Sequence, residues 1–149
     1  SNDSSAIVGN TGPRGPHGSI YPPLLRERYE TNDMTSESYQ NYALCYRCHD
    51  RMNILSDVSF QKKTLGTTAS RGGHSGHLAA GAPCSACHDA HGVALAPLTG
   101  DHTNLINFDT RIVSPLAGNT SPLFSDIGMF SGSCTLVCHG VTHDNLSYP

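Results

Sequence analysis

All six cysteines and three of the nine histidines of this chain fall into one repeated arrangement. Cys45-Tyr46-Arg47-Cys48-His49 and Cys84-Ser85-Ala86-Cys87-His88 have a two-residue spacer, and Cys134-Thr135-Leu136-Val137-Cys138-His139 has a three-residue spacer. A thiol pair at this spacing, followed directly by an imidazole, is the pattern of c-type haem attachment. The two thiols add across the two vinyl groups of one porphyrin, and one turn of chain presents both sulfurs to one macrocycle edge. The adjacent histidine then lies under the iron as the proximal axial ligand. The expectation is three haem c groups, covalently held by Cys45, Cys48, Cys84, Cys87, Cys134 and Cys138. His49, His88 and His139 are the proximal iron ligands. In the third motif the extra residue must bulge out to keep both sulfurs on one porphyrin edge.

Three other chemistries use cysteine pairs. An even cysteine count in an exported chain often means a disulfide framework, but that leaves the histidine after each second cysteine unexplained. Cys-x-x-Cys pairs also build tetrahedral zinc sites, yet three pairs make one and a half four-cysteine sites. A thioredoxin-type redox pair belongs in a βαβ context, and no such pattern is visible.

Six histidines remain after the proximal three: His17, His74, His77, His91, His102 and His143. Three haems need at most three distal ligands, so the supply favours two imidazoles per iron. Methionine competes as a sixth ligand, but Met34, Met52 and Met129 have no distinctive setting, and Met52 is too close to His49 to reach the far face of the same haem. His77 lies seven residues before Cys84 and is placed to reach the first haem. His91, three residues after His88, points to a neighbouring haem rather than its own. His17 and His143 complete the predicted distal set. His74 is a substitute for His77, three residues away, and His102 stands behind the others.

The composition fits a chain that leans on a cofactor. Hydrophobic residues make up 37%, there is no Trp, and there are 15 glycines and 9 prolines among 149 residues. Three apolar macrocycles would supply the core that the side chains do not, as ligand binding energy becomes folding energy in small metal-dependent domains. The formal charge of −3 becomes more negative when the cofactor is counted. Three bis-imidazole haems add about −3 when oxidised and about −6 when reduced. The nine Lys and Arg are dispersed, which gives no basic patch for nucleic acid. Arg26 with Arg28, and Lys62 with Lys63, read as solvated faces or propionate partners. No apolar run is long enough to span a membrane.

The elements that must position these groups are sparse. The fold class expected is mostly irregular with a few short α-helices, organised around three haems, with minor β-structure near 104–113. A single domain covers 1–149, its first 35 residues irregular. Gly12-Pro13-Arg14-Gly15-Pro16 marks irregular chain. Residues 36–52 are the best helix, capped by Ser36 or Ser38, with Tyr39, Tyr42, Ala43 and Tyr46 at helical spacing. Residues 55–60 read as a short extended or helical piece, and 64–76 and 114–133 as loops. Residues 104–108 and 111–113 look extended around a turn at Asp109-Thr110. Pro16-His17-Gly18 through Leu25 echoes Ala90-His91-Gly92 through Leu98, so the N-terminus reads as the remnant of a preceding repeat. Ser1-Asn2 has the look of a protease-cleavage remnant, and no signal peptide is present, which suggests a mature or excised piece of a longer protein.

The order Cys45, Cys48-His49, His77, Cys84, Cys87-His88-Asp89-Ala90-His91-Gly92 resembles the doubled-CxxCH multihaem c-type cytochromes, exported electron carriers of anaerobic, metal-respiring bacteria. The resemblance covers residues 40–95 well. The Pro-His-Gly-Ser stretch and the terminal Cys-His-Gly block are similar to segments of the same proteins. It implies that His77 and His91 are haem ligands. It departs in the odd haem number and the longer third spacer, and leaves the third haem's partner open. It also implies electron transfer in extracytoplasmic respiration, in the periplasm or at the outer surface, with other redox proteins or extracellular acceptors as partners. The expectation is an electron carrier and not an enzyme. The alternatives are a multihaem reductase with one open iron, or a subunit or domain of a larger haem array or filament. A homo-oligomer or a longer multihaem parent fits the last of these.

Overall fold

A computed structural model describes residues 25–65, 69–90, 93 and 101–148. His17, His91 and most of both repeat segments lie outside the described residues. The chain forms α1 (Arg51–Leu55), a pair of strands β1 (Lys62–Leu65) and β2 (Ala69–Gly72), and α2 (Gly73–Ala79). A C-terminal antiparallel sheet follows: β3 (Val113–Ser114), β4 (Leu123–Gly128), β5 (Ser131–Cys138) and β6 (Val141–Tyr148). β5 is central, with β6 along one edge and β4 and then β3 along the other. Among the described residues no helix is long and apolar enough to cross a membrane.

The helix expected over 36–52 is broken into three pieces. Residues 39–44 are turns, Cys45–Arg47 is a single 3₁₀ turn, and α1 starts afresh at Arg51. The Ser38 hydroxyl oxygen accepts from the Asn41 amide at 3.1 Å, but it heads a run of turns rather than a helix. The break comes at Asp50, whose backbone is extended. Its carboxylate accepts from the Met52 and Asn53 amides at 2.7 and 3.2 Å, so it caps a new helix rather than continuing the old one. Glu37 ties the two halves together. It accepts from the Tyr46 hydroxyl at 3.0 Å and from the Arg51 guanidinium at 2.9 and 2.6 Å.

Glycines set both ends of α2. Gly72 and Gly73 have φ of +91° and +70°, which turn β2 directly into the helix. The nearly buried Asp57 carboxylate then accepts from the Ser75 amide and hydroxyl at 2.6 and 2.7 Å. At the C-terminus, Ala82 N donates to His77 O at 3.0 Å and Gly81 N to Leu78 O at 3.1 Å. With Gly81 at φ +90° this is a Schellman ending. Pro83, in extended geometry, launches the second thiol pair.

The core is thin. Ala82, Ala86, Val113 and Leu136 form the buried cluster, with Cys87, Phe108, Ile112, Cys134 and Cys138 packed against it. Tyr42 and Val113 are the largest side chains that are fully buried. The regions read as loops at 64–76 and 114–133 contain the end of β1, all of β2, the first half of α2, β4 and the start of β5. The stretch read as extended at 104–108 is instead a 3₁₀ turn, Thr103–Leu105, and one isolated bridge between Ile106 and His88. Strand content is therefore centred on 113–148 rather than 104–113.

A Cβ at Gly73 would lie 2.6 Å from the Asp57 carboxyl, and one at Gly81 would lie 2.8 Å from Met34 Cα. Gly73→Ala and Gly81→Ala are each expected to destabilise by more than about 1 kcal/mol, read as a lowered denaturation midpoint by circular dichroism. Tyr42→Phe is expected to leave that midpoint unchanged or raise it, because its buried hydroxyl has no partner among the described residues and losing it removes an unmet desolvation cost.

Candidate functional site

The first two thiol pairs adopt the same local turn. Cys48 N donates to Cys45 O at 3.2 Å and His49 N to the same oxygen at 3.0 Å. In the second, Cys87 N and His88 N donate to Cys84 O at 3.3 and 2.9 Å. Cys48 and Cys87 end their turns with φ/ψ of −120°/−28° and −116°/−32°. One compact turn thus brings both thiols of a pair onto the same short stretch, with the histidine one residue beyond.

The third pair is built differently. Cys134 and Cys138 both lie on β5, with no extra residue on that strand. The register shifts fall on its partners, between Asp126 and Gly128 on β4 and between Leu146 and His143 on β6. The expected bulge is absent. Four residues of strand put the two Cα atoms about 13 Å apart, on one face of the sheet. His139 and Gly140, at φ +48° and +74°, form the two-residue turn of the β5–β6 hairpin, where both positions require positive φ. The His139 Nε2 is held by the Asp33 carboxylate at 2.7 Å, a contact across the chain that no sequence pattern indicated.

The pairs meet through their sulfurs. The Cys45 thiol is held below the ordinary thiol range by its interaction with Cys84, and that interaction together with burial pushes Cys84 above it. Cys87 is pushed up to about 12 by burial and by the nearby Cys134 and Cys138. Burial raises Cys134 to about 11. The second pair therefore sits between the first and the third. Each of the six cysteines is a free thiol.

Around this line the structure gathers histidines. His74 lies 6.3 Å from His88, and His77 lies 6.1 Å from His143, centroid to centroid. Phe60 packs between them, 5.3 Å from His74 and 5.2 Å from His77, with Tyr148 at 4.5 Å on its other side. Burial, then the charge of His88, drives His74 down to about 4. Burial lowers His88 and His143 as well, with His49 adding to the first and His77 to the second. Burial thus favours the neutral form of His74, His88 and His143, which is the metal-ligating form. Among the aromatic side chains, Tyr42 and Phe124 are buried, Phe108 packs on the core, and Tyr39 stacks on Tyr46 at 5.9 Å. Phe130 is half-exposed in the β4–β5 turn.

Three histidines share one tether. His77 Nδ1 donates to Gly73 O at 2.7 Å, His88 Nδ1 to Asn104 O at 3.0 Å, and His102 Nδ1 to Ile106 O at 2.6 Å. A carbonyl can only accept, so Nδ1 carries the proton and Nε2 keeps its lone pair. A backbone carbonyl on the far nitrogen is the usual second-shell device that orients a metal-ligating histidine. Two buried ring nitrogens, His74 Nδ1 and His102 Nε2, have no hydrogen-bond partner among the described residues. The turns of the first two motifs and these lone pairs fit haem. The third pair, as placed on β5, does not present its thiols to one porphyrin edge. Among the described residues, no group of three or more His, Cys, Asp or Glu converges as a metal-ion site, whereas two axial imidazoles require no such cluster.

No protein-family profile matches the chain, and neither the curated proteins nor the solved structures include a significant match.

The Arg51 guanidinium holds Glu37 below the ordinary carboxylate range. The unfolded chain therefore binds a proton at Glu37 at higher pH than the folded chain does. The pair contributes stability above the ordinary value of 4.5, and that contribution is lost as pH falls through the lowered folded value. Glu37→Gln is expected to melt lower than the parent at about pH 7 and to fall less between about pH 5 and about pH 3. Thermal melts at those pH values check this.

Proposed function

We propose that this protein is a three-haem c-type cytochrome that transfers electrons and performs no substrate chemistry of its own. The observation that carries this reading is the repeated turn. Two separate Cys-x-x-Cys-His segments close on the same backbone hydrogen bonds. Cys45 with Cys48, Cys84 with Cys87, and Cys134 with Cys138 would hold the three porphyrins, with His49, His88 and His139 as proximal ligands. His77, with its Nδ1 tethered to Gly73 O, and His143 and His74, whose protonation burial disfavours, are available to the opposite faces, and His17 and His91 remain candidates from the sequence. The haem supplies the one-electron chemistry. The protein's part is to hold the groups close, dry and ligated. Two imidazoles per iron leave no site for a substrate and favour low potentials relative to methionine ligation. The second thiol pair, lying between the other two, would put its haem in the middle of the electron path. Export to the periplasm or outer surface, and partners that are other redox proteins or extracellular acceptors, belong to the same proposal.

The third attachment asks for a rearrangement. Cys138 must come within one turn of Cys134, so β5 beyond Thr135 must leave β3 and β6, and His139 must leave Asp33.

The test is haem content and spin state after expression with a haem-attachment system. Three covalent haems per chain are expected by pyridine haemochrome, all low-spin and indifferent to carbon monoxide. A chain without covalent haem overturns the proposal, and a one-third high-spin fraction that binds carbon monoxide favours a reductase. Cys134→Ser with Cys138→Ser is expected to leave two haems. His77→Ala is expected to keep three and turn one of them high-spin.

A further inference from the structure

His102 combines two features that no other described imidazole combines: a tethered Nδ1 and a buried Nε2 with no partner among the described residues. We propose that His102 is an axial ligand of one of the haem irons, an inference that rests on the cytochrome reading above. A buried nitrogen lone pair without a donor is an unmet desolvation cost, and imidazole is a suitable ligand for iron.

The surrounding chain is arranged for it. Asn104 and Leu105 both have positive φ, +58° and +59°, a conformation that non-glycine residues hold only when their surroundings enforce it. That turn aims the Asn104 carbonyl at His88 Nδ1 and is followed at once by the Ile106 carbonyl, which accepts from His102 Nδ1. One strained turn thus fixes the tautomer of a proximal histidine and of His102 together. The neighbouring Asp101 carboxylate does not supply the missing partner. It is engaged by the Thr103 amide at 2.9 Å and the Asp126 amide at 2.7 Å.

His102 also lies between two thiol pairs. On its C-terminal side, Asn107 N donates to Cys87 O at 2.8 Å. On its N-terminal side, Asp101 N donates to Phe124 O at 3.4 Å, and Phe124 is the register partner of Cys134. The chain on either side of it is thus bonded to the segment that carries the second thiol pair directly, and to the one that carries the third through β4.

The experiment uses the full, haem-loaded chain carrying His102→Asn. The asparagine amide keeps a donor for the Ile106 carbonyl, but its nitrogen lone pair is delocalised into the amide carbonyl and does not ligate iron. One haem in three is expected to become high-spin and to bind carbon monoxide, with three covalent haems retained and the low-spin spectrum restored by free imidazole. In a Cys134→Ser, Cys138→Ser background, disappearance of the high-spin fraction assigns His102 to the third haem, and its persistence assigns it to another. A fully low-spin variant with three haems overturns the inference and leaves the cytochrome reading intact. A fall in haem content that imidazole does not reverse shows a structural role and also overturns it. A parent chain without covalent haem overturns both. If His102→Asn fails to fold, His102→Met is read by redox titration: one midpoint potential should rise, and unchanged potentials overturn the inference.

Discussion

Backbone pairing between residues 86–89 and 105–109 holds the centre of this molecule. Asp109 N reaches Ala86 O at 3.1 Å, Asn107 N reaches Cys87 O at 2.8 Å, and Asp89 N reaches Leu105 O at 3.0 Å. Ala86 is fully buried under this strap. Everything else is referenced to it. α2 delivers the chain to it through Gly81, the strap continues into β3, and Val113 of β3 is the register partner of Cys138 on β5. The tether on His102 ends on the strap at Ile106, and that on His88 ends at Asn104, the residue just before it. The second thiol pair is therefore the most constrained of the three, while the first depends on Tyr42 and Glu37, and the third on the sheet.

The punctuation of the chain was legible; its pairing was not. Ser38 reads as a cap from local chemistry alone and does accept from the Asn41 amide, whereas Gly81 followed by Pro83 ends a short helix in a stretch that reads as loop up to residue 76. The break at His49-Asp50 was less visible, since Tyr39, Tyr42 and Tyr46 keep helical spacing up to the point where the Asp50 carboxylate begins α1. The strands between 114 and 133 were hidden by Gly128, Gly132 and the serines around them, which lack intrinsic strand preference. Gly132 is there because Tyr148 and Phe124 crowd it. A Cβ would sit 2.6 Å from the Tyr148 hydroxyl and 2.8 Å from the Phe124 ring. Such a requirement is set by residues distant in sequence and leaves no local pattern.

The same division holds for the candidate site. The thiol pairs and the adjacent histidines are read directly from spacing. His102 stood out in no pattern, because its distinction lies in the Ile106 carbonyl and in the αL turn at Asn104-Leu105. Asp33 was invisible for the same reason, since it meets His139 from more than a hundred residues away. The sequence pointed to a chain short of apolar side chains, and the structure shows where that shortage falls. The central cluster is two alanines, a valine and a leucine, bordered by three thiols. In the proposed cytochrome the porphyrins bring apolar surface to the place where the polypeptide has least.

The His139-Gly140 turn carries a consequence for timing. A two-residue hairpin with a strand on each side is an entirely local structure, and such hairpins close in about 1–10 μs. Thioether formation is bond-making chemistry carried out by other proteins, and it meets the third thiol pair only after that hairpin has had ample time to form. In the proposed cytochrome, maturation of the third centre would then be a race between folding and attachment, which the first two centres, already coiled into a compact turn, would not have to run.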